Sequence, residues 1–285
     1  MKLKKLFSLA TVALSVGVLA ACGNSSSSSS SDSSATTVRV GVMSLSDSEQ
    51  ARWDKVQEIL GDEVKLEFTQ FTDYSQPNKA VAENEVDINA FQHYNFLNNW
   101  NEENGEDLVA IADTYIAPIR LYSGTADGKN KYTKVEEIPD GAEIAVPNDP
   151  TNESRALYLL QAAGLIEVGV SGTELATIAD ITENKKNLKI TELDASQTAS
   201  SLSSVDAAVV NNTFVLEAGL DYKNALYKEQ KDENSKQWYN LIAARSDWEK
   251  SEQAAAIKKI IEAYHTDEVK KVIEETSDGM DEPVW

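Results

Sequence analysis

From residue 38 onward, short segments patterned as strands take turns with segments patterned as helices, and this alternation restricts the chain to the α/β class. Residues 38–43 read as a buried first strand. Residues 48–60 read as a helix with Trp53, Val56, Ile59 and Leu60 on one face and Gly61 ending it. Residues 64–68 alternate as a second strand, Pro77 suits the first turn of a helix running to Glu85, and residues 87–91 form a third strand. Gln92-His93-Tyr94 then turns into a helix carrying Phe96, Leu97 and Trp100. Residues 108–122 are strand-like but contain Pro118. Proline cannot donate to a central ladder, so Pro118 marks a crossing between two lobes. Further strands are expected over 142–146, 187–193, 206–211 and 238–244. Residues 196–204 are a small-residue helix or loop, and 251–275 read as one long amphipathic helix. The expected sheet is largely parallel, and no internal sequence repeat is visible.

The stretch from Val146 to Leu160 organises the middle of the chain. A strand stops at Pro147 and Pro150, Thr151 or Asn152 can cap the helix that comes next, and Arg155 is expected in its first turn. Such a turn aims free backbone N–H groups at whatever lies above it, and a guanidinium there can grip a carboxylate with two parallel hydrogen bonds. Tyr74, Phe91, His93, Arg155, Asn211 and Asn240 all fall where strands give way to loops. Ligands of open α/β sheets bind outside those strand ends.

The beginning of the chain is a targeting segment. Lys2, Lys4 and Lys5 precede an apolar run from Leu6 to Ala20, too short for a comfortable membrane span. Leu19-Ala20-Ala21-Cys22-Gly23 resembles the lipobox of bacterial lipoproteins, which implies cleavage after residue 21 and a lipid on Cys22. Cys22 is the only cysteine, so no intramolecular disulfide and no multi-cysteine metal site can form. Residues 22–37 are dominated by serine and read as a tether with a mean reach of roughly 20 Å. The formal net charge of -21 carries no basic footprint for nucleic acid.

Several separate motifs then coincide. Asp73-Tyr74-Ser75-Gln76-Pro77-Asn78, Asn89-Ala90-Phe91-Gln92-His93, Pro147-Asn148-Asp149-Pro150-Thr151-Asn152 with Arg155, and Val210-Asn211-Asn212-Thr213 resemble the NlpA-type lipoproteins over residues 38–285. The resemblance implies a two-lobed periplasmic-binding-protein-like fold with a ligand cleft between the lobes. It implies a methionine-binding receptor of an ABC importer, not an enzyme, with no cofactor and no metal. The implied lobes are residues 38–116 with 237–285, and 117–236. Arg155 would pair with the ligand α-carboxylate, Asn211 would hold its ammonium or carboxylate, and Asn240 would add a polar contact. Tyr74 and Phe91 would wall the thioether, with His93 at their border. The expected partners are L-methionine or a close derivative, a permease with its ATPase, and the membrane through Cys22, on a Gram-positive surface.

Rival readings are weaker. Tyr74 and Phe91 also suit a plain core, His93 a helix cap and Asn211 a turn. Asp149 and Glu153 can be taken for a catalytic pair, but no phosphate loop or nucleophile elbow accompanies them. A surface adhesin with a vestigial cleft, or a receptor for methionine sulfoxide or methionine-containing peptides, stays open.

Overall fold

The computed structural model describes residues 35–285; the expected signal segment, Cys22 and most of the expected tether lie outside the described residues. Two five-stranded sheets organise the rest. The first takes β1 (Thr36–Val42), β2 (Val64–Gln70), β3 (Ile88–His93) and β4 (Val109–Asp113). The second takes β5 (Arg120–Ser123), β6 (Glu143–Pro147), β7 (Lys189–Leu193), β8 (Ala207–Val210) and β9 (Tyr227–Lys228). The chain then returns to the first sheet as β10 (Asn240–Ala244). The strand orders are β2-β1-β3-β10-β4 and β7-β6-β8-β5-β9.

Both sheets therefore have the same plan. Three parallel strands run 2-1-3 in local order, then one antiparallel strand follows, and the outermost strand runs the same way as the first three. The antiparallel pairs are β10 with β3 and β4, and β5 with β8 and β9. The sheets are thus mixed rather than largely parallel, because in each of them a strand enters from the opposite end. Pro118 sits between β4 and β5, where the chain leaves one sheet for the other.

Local chemistry explains the elements. β1 buries Val38, Val40 and Val42 while Arg39 pairs with Asp87 at 2.6 Å. β1 begins at Thr36, so its ladder takes in the last two residues expected in the tether. Helix α1 (Asp47–Leu60) opens on a reciprocal cap in which Ser46 and Glu49 satisfy each other's backbone N–H groups. Its buried face is Trp53, Val56 and Leu60, whereas Ile59 is exposed. The expected long C-terminal helix is two, α7 (Ala254–Tyr264) and α8 (Asp267–Thr276). Thr266 caps α8 and breaks the run after His265, whose Nε2 donates to the Asp113 carbonyl at 2.7 Å. Both helices pack with α1 against β1 and β3. Among the described residues no helix is long and apolar enough to cross a membrane.

Helices α2 (Gln76–Ala82) and α3 (Tyr94–Asn104) cover the other face of the first sheet. On the second sheet, α4 (Pro150–Ala162) packs against β6, and α5 (Ala195–Ser201) with α6 (Asn212–Glu217) lies toward the first. One apolar cluster joins both halves: Met43, Phe91 and Phe96 meet Tyr122, Val210 and Phe214. Glu282–Pro283 pairs with Tyr115–Ile116 beside the first crossing.

Candidate ligand site between the two sheets

In each sheet the middle parallel strand has its neighbours reached in opposite directions, which leaves a crevice at the carboxyl ends. The crevice of the first sheet lies past β1 and β3, and that of the second past β6 and β8. The two crevices share one cavity. Its lining includes Tyr74, Phe91, His93, Arg155, Asn211 and Asn240, so all six sequence-derived candidates converge there. Asn240 arrives differently from the expectation. It starts β10 instead of ending a strand, and antiparallel pairing sets it opposite His93.

One wall is aromatic. The Tyr74 ring lies 5.8 Å from Phe91, 6.0 Å from Phe96 and 5.1 Å from Phe214, and Phe91 meets Phe96 edge-on at 5.6 Å. These separations fall in the range where tilted and edge-on aromatic pairs attract. Behind Phe91, Asn78, Asn89 and Gln92 satisfy one another with amide hydrogen bonds of 2.6–2.9 Å. This buried network fixes the end of β3, because each amide left alone would carry an unmet desolvation cost.

The opposite side is polar, and its amide orientations are set by one acid. Asp149, not Thr151 or Asn152, caps α4. Pro150 occupies the first helical position and brings no N–H, so the preceding residue supplies the cap. Asp149 takes the Asn152 backbone N–H at 3.0 Å and the Asn152 side-chain amide at 3.0–3.1 Å. Because the carboxylate accepts, Asn152 must turn its NH₂ toward it and its oxygen away. That oxygen takes the Asn211 Nδ2 donor at 2.7 Å. Asn211 is thereby left with Oδ1 buried and, among the described residues, without a partner.

His93 closes the chain from the other sheet. Its Nδ1 accepts from the Phe96 N–H at 3.1 Å, capping α3, so the ring proton sits on Nε2. Nε2 faces Asn152 Oδ1 at 3.4 Å, a long contact. Burial, with the Arg155 charge adding to it, lowers the His93 pKa to about 3, so the ring is neutral. The cap and the cavity lining are therefore two roles of one residue.

Arg155 is sixth in α4, in its second turn instead of the first, and is buried. The Trp238 ring lies 5.0 Å from its guanidinium carbon, and Trp238 also meets His93 edge-on at 5.1 Å. The sequence reading missed Trp238, Asn152 as the bridge, and Glu229 on Arg155. It also missed the lining residues Glu49, Tyr115 and Asp281. The Pro147–Asn152 motif carried a signal for Asn152. Glu229 and Asp281 carried none, since they reach the site from 74 and 69 residues away from the partners they bind. Asp149 and Glu153 are not poised as a catalytic pair: Asp149 is the cap, and Glu153 accepts the Ile178 N–H at 3.0 Å.

A cavity at the facing switch points of two α/β lobes, with aromatic and amide walls, defines a two-lobed solute-binding protein of the periplasmic type. Comparison with known proteins agrees. A sequence profile of the NlpA lipoproteins matches residues 38–285. The chain is 73% identical to the substrate-binding protein of a methionine transporter from Streptococcus pneumoniae, with a TM-score of 0.84 over 87% of this chain and 96% of that one. A nutrient-binding protein from Burkholderia cenocepacia, solved bound to methionine, is 37% identical at a TM-score of 0.76, over 87% and 100% of the two chains. The D-methionine-binding lipoprotein MetQ of Escherichia coli O157:H7 is 36% identical over 96% of this chain and 97% of its own length. The chain belongs to the NlpA lipoprotein family.

Proposed function

We propose that this protein is a lipid-anchored extracytoplasmic receptor that captures L-methionine, or a close derivative, and delivers it to an ABC permease driven by a separate ATPase. The observation that carries the reading is the pairing of unlike polar groups on one cavity: free N–H groups of the buried Arg155 and the unpartnered acceptor Asn211 Oδ1, beside an aromatic wall. A zwitterion with an apolar, sulfur-bearing chain complements all three. Arg155 takes the α-carboxylate, Asn211 the ammonium, and Tyr74 and Phe91 the thioether, at roughly 0.3–1.5 kcal/mol per sulfur–aromatic contact. Asn240 supplies a further polar contact and His93 a neutral border. The relatives bind methionine or are named for its D form, which supports the amino acid and leaves the handedness to be measured.

The lobes are residues 38–116 with 237–285, and 117–236, and they close about the two crossings. The anchor is the lipid on Cys22, and the surface is that of a Gram-positive cell. Thermal unfolding against amino acids, both methionine enantiomers, the sulfoxide and methionine dipeptides tests the ligand. A ligand at about a thousand times its Kd adds roughly 4 kcal/mol to stability. Arg155→Ala should weaken methionine binding by about a hundredfold or more. Because Arg155 also neutralises Glu229, the ligand-free melt of the variant must be run alongside. Unchanged affinity in a folded Arg155→Ala variant removes the site assignment. A shift with no amino acid or peptide, after any carried-through ligand is stripped, favours a surface-interaction role instead.

A further inference from the structure

Arg155 does not meet the cavity as a bare cation. Its Nε and Nη2 donate to the two oxygens of Glu229 at 2.7 and 2.5 Å, a fork in which one carboxylate takes two parallel N–H groups. Nη2 also donates to the Ala117 carbonyl at 3.1 Å. Glu229 is itself held, because its carboxylate accepts the Ile119 N–H at 3.2 Å and its own N–H returns to the Ile119 carbonyl at 3.0 Å. Among the described residues, only Nη1 keeps both N–H groups uncommitted. The Arg155 side chain is 3% exposed and that of Glu229 15%, so little water screens the pair.

The charge of the anchor is therefore cancelled before any ligand arrives, and among the described residues the lining holds no second cation; Arg120 lies behind it, on the far side of Asn212. Glu49 and Asp281 on the lining are acids, and Arg52 beside them is paired with Asp281. Asn211 and Asn240 are neutral. A ligand bringing only a carboxylate would meet no unpaired cation on the lining itself, whereas a zwitterion brings its own.

We propose that Glu229 is a specificity-determining residue: by neutralising Arg155 and leaving it one free nitrogen, it restricts the cavity to ligands that carry their own cation beside the carboxylate. This rests on the amino-acid-receptor reading and names what that site rejects. Specificity here is a penalty built against the wrong ligand, not an added contact to the right one.

The test uses the full-length chain in detergent and two probes, methionine and its des-amino analogue 4-(methylthio)butanoate, a monoanion. Calorimetric titrations compare the native chain with Glu229→Gln and Glu229→Asp. In Glu229→Gln the monoanion should bind at least about tenfold tighter than in the native chain, and the preference for methionine should shrink by that factor or more. Glu229→Asp keeps the charge and shortens the reach, so methionine affinity falls while the preference stays. Equal weakening of both ligands in Glu229→Gln means that Glu229 only positions Arg155, and overturns the proposal; so does no change in either. If Glu229→Gln fails to fold, loss of the preference in Glu229→Asp overturns it and retention supports it. A native chain that does not bind methionine ends the ligand reading, while a gain of monoanion binding in Glu229→Gln still establishes the role of Glu229.

Discussion

Replacing Asp281 by alanine should be among the most damaging single changes outside the apolar core. Asp281 is buried beside the C-terminus and holds two groups at once. One oxygen pairs with Arg52 Nη2 on α1, and the other takes Asn212 Nδ2 at 3.0 Å at the start of α6. Asn212 Oδ1 in turn accepts from Arg120 Nη1 at 3.0 Å on β5. The chain Arg52–Asp281–Asn212–Arg120 therefore runs from the first sheet to the second under the cavity. Arg52 is 1% exposed, and its remaining support is slight. Nη2 has a 3.4 Å contact with Ser48 Oγ, the Tyr115 ring lies 4.4 Å from its guanidinium carbon, and among the described residues Nε and Nη1 make no hydrogen bond. Without Asp281 its charge loses the one ion-pair partner it has among the described residues and keeps only the more weakly coupled Glu49, a loss of about 3–5 kcal/mol. For a chain of this size that lowers the melting temperature by about 6–20 °C. The assay is urea and thermal unfolding of Asp281→Ala, Arg52→Met and the double variant. Methionine fits beside Tyr115 and removes the orphaned donors, so the double variant should regain much of the loss. An Asp281→Ala variant within about 1 kcal/mol of the native chain, or a double variant weaker than Asp281→Ala, refutes the reasoning.

The remaining predictions concern pH, and their signs are opposite. His93 protonates near 6.5 when unfolded but only near 3 in the native chain, because burial and then Arg155 oppose its charge. The stability it contributes is full above the unfolded value and is lost as pH falls toward the native one, at about 1.4 kcal/mol per pH unit. His93→Asn keeps a helix cap and should flatten the acid limb by about one proton in urea titrations from roughly pH 6 to 4; an unchanged slope contradicts the neutral ring. Glu49, on the same lining, has its carboxyl raised by burial, with Asp281 adding and Arg52 and Ser46 opposing. Native Glu49 keeps its proton to higher pH than the unfolded chain, so stability drops as pH rises from the ordinary carboxylate value to the native one. Glu49→Gln should therefore gain more stability at neutral pH than at about pH 4, and an equal or reversed difference in melting temperature counts against it.

How much the sequence disclosed depends on how far each signal reaches along the chain. Strands, caps and turns depend on neighbours a few residues away. The α/β alternation, the Pro118 crossing and most helix starts were therefore legible. Where two local signals competed, the reading slipped. Pro150 hid Asp149 as the cap, and the unbroken amphipathic pattern of 251–275 hid the stop at His265–Thr266. Phe91, His93 and Asn211 were legible as strand-end positions, but the places of Asn240, which starts a strand, and Arg155, which lies in the second turn of α4, were not, and nor were the partners. Glu229 and Asp281 lie in segments whose local pattern is ordinary, and only the fold brings them to Arg155 and Arg52. The shared plan of the two sheets was equally silent, since topology repeats through strand order while no residue pattern repeats with it.

That repeated plan explains why the cavity is chemically lopsided. Each sheet offers the carboxyl ends of its central strands, but the segments leaving those strands differ. After β3 the chain enters α3 through Phe91, His93 and Phe96, which gives an apolar wall with one neutral ring. After β6 and β8 it enters α4 and α6 through Asp149, Asn152 and Asn211, which gives amides held in one orientation by a single carboxylate. Arg155 is added from within α4, already balanced by Glu229. A ligand that meets both walls joins the two sheets, and the direct polar link between His93 and Asn152 is long, at 3.4 Å. Around that point the walls meet mainly through apolar and aromatic contacts, the Arg155 guanidinium against Trp238 and the cluster of Phe91, Phe96 and Phe214. On the proposed reading, a ligand carrying both a charged head and an apolar chain would add polar links where the walls make few, and one lacking either would engage a single wall and have less with which to shift an open–closed equilibrium.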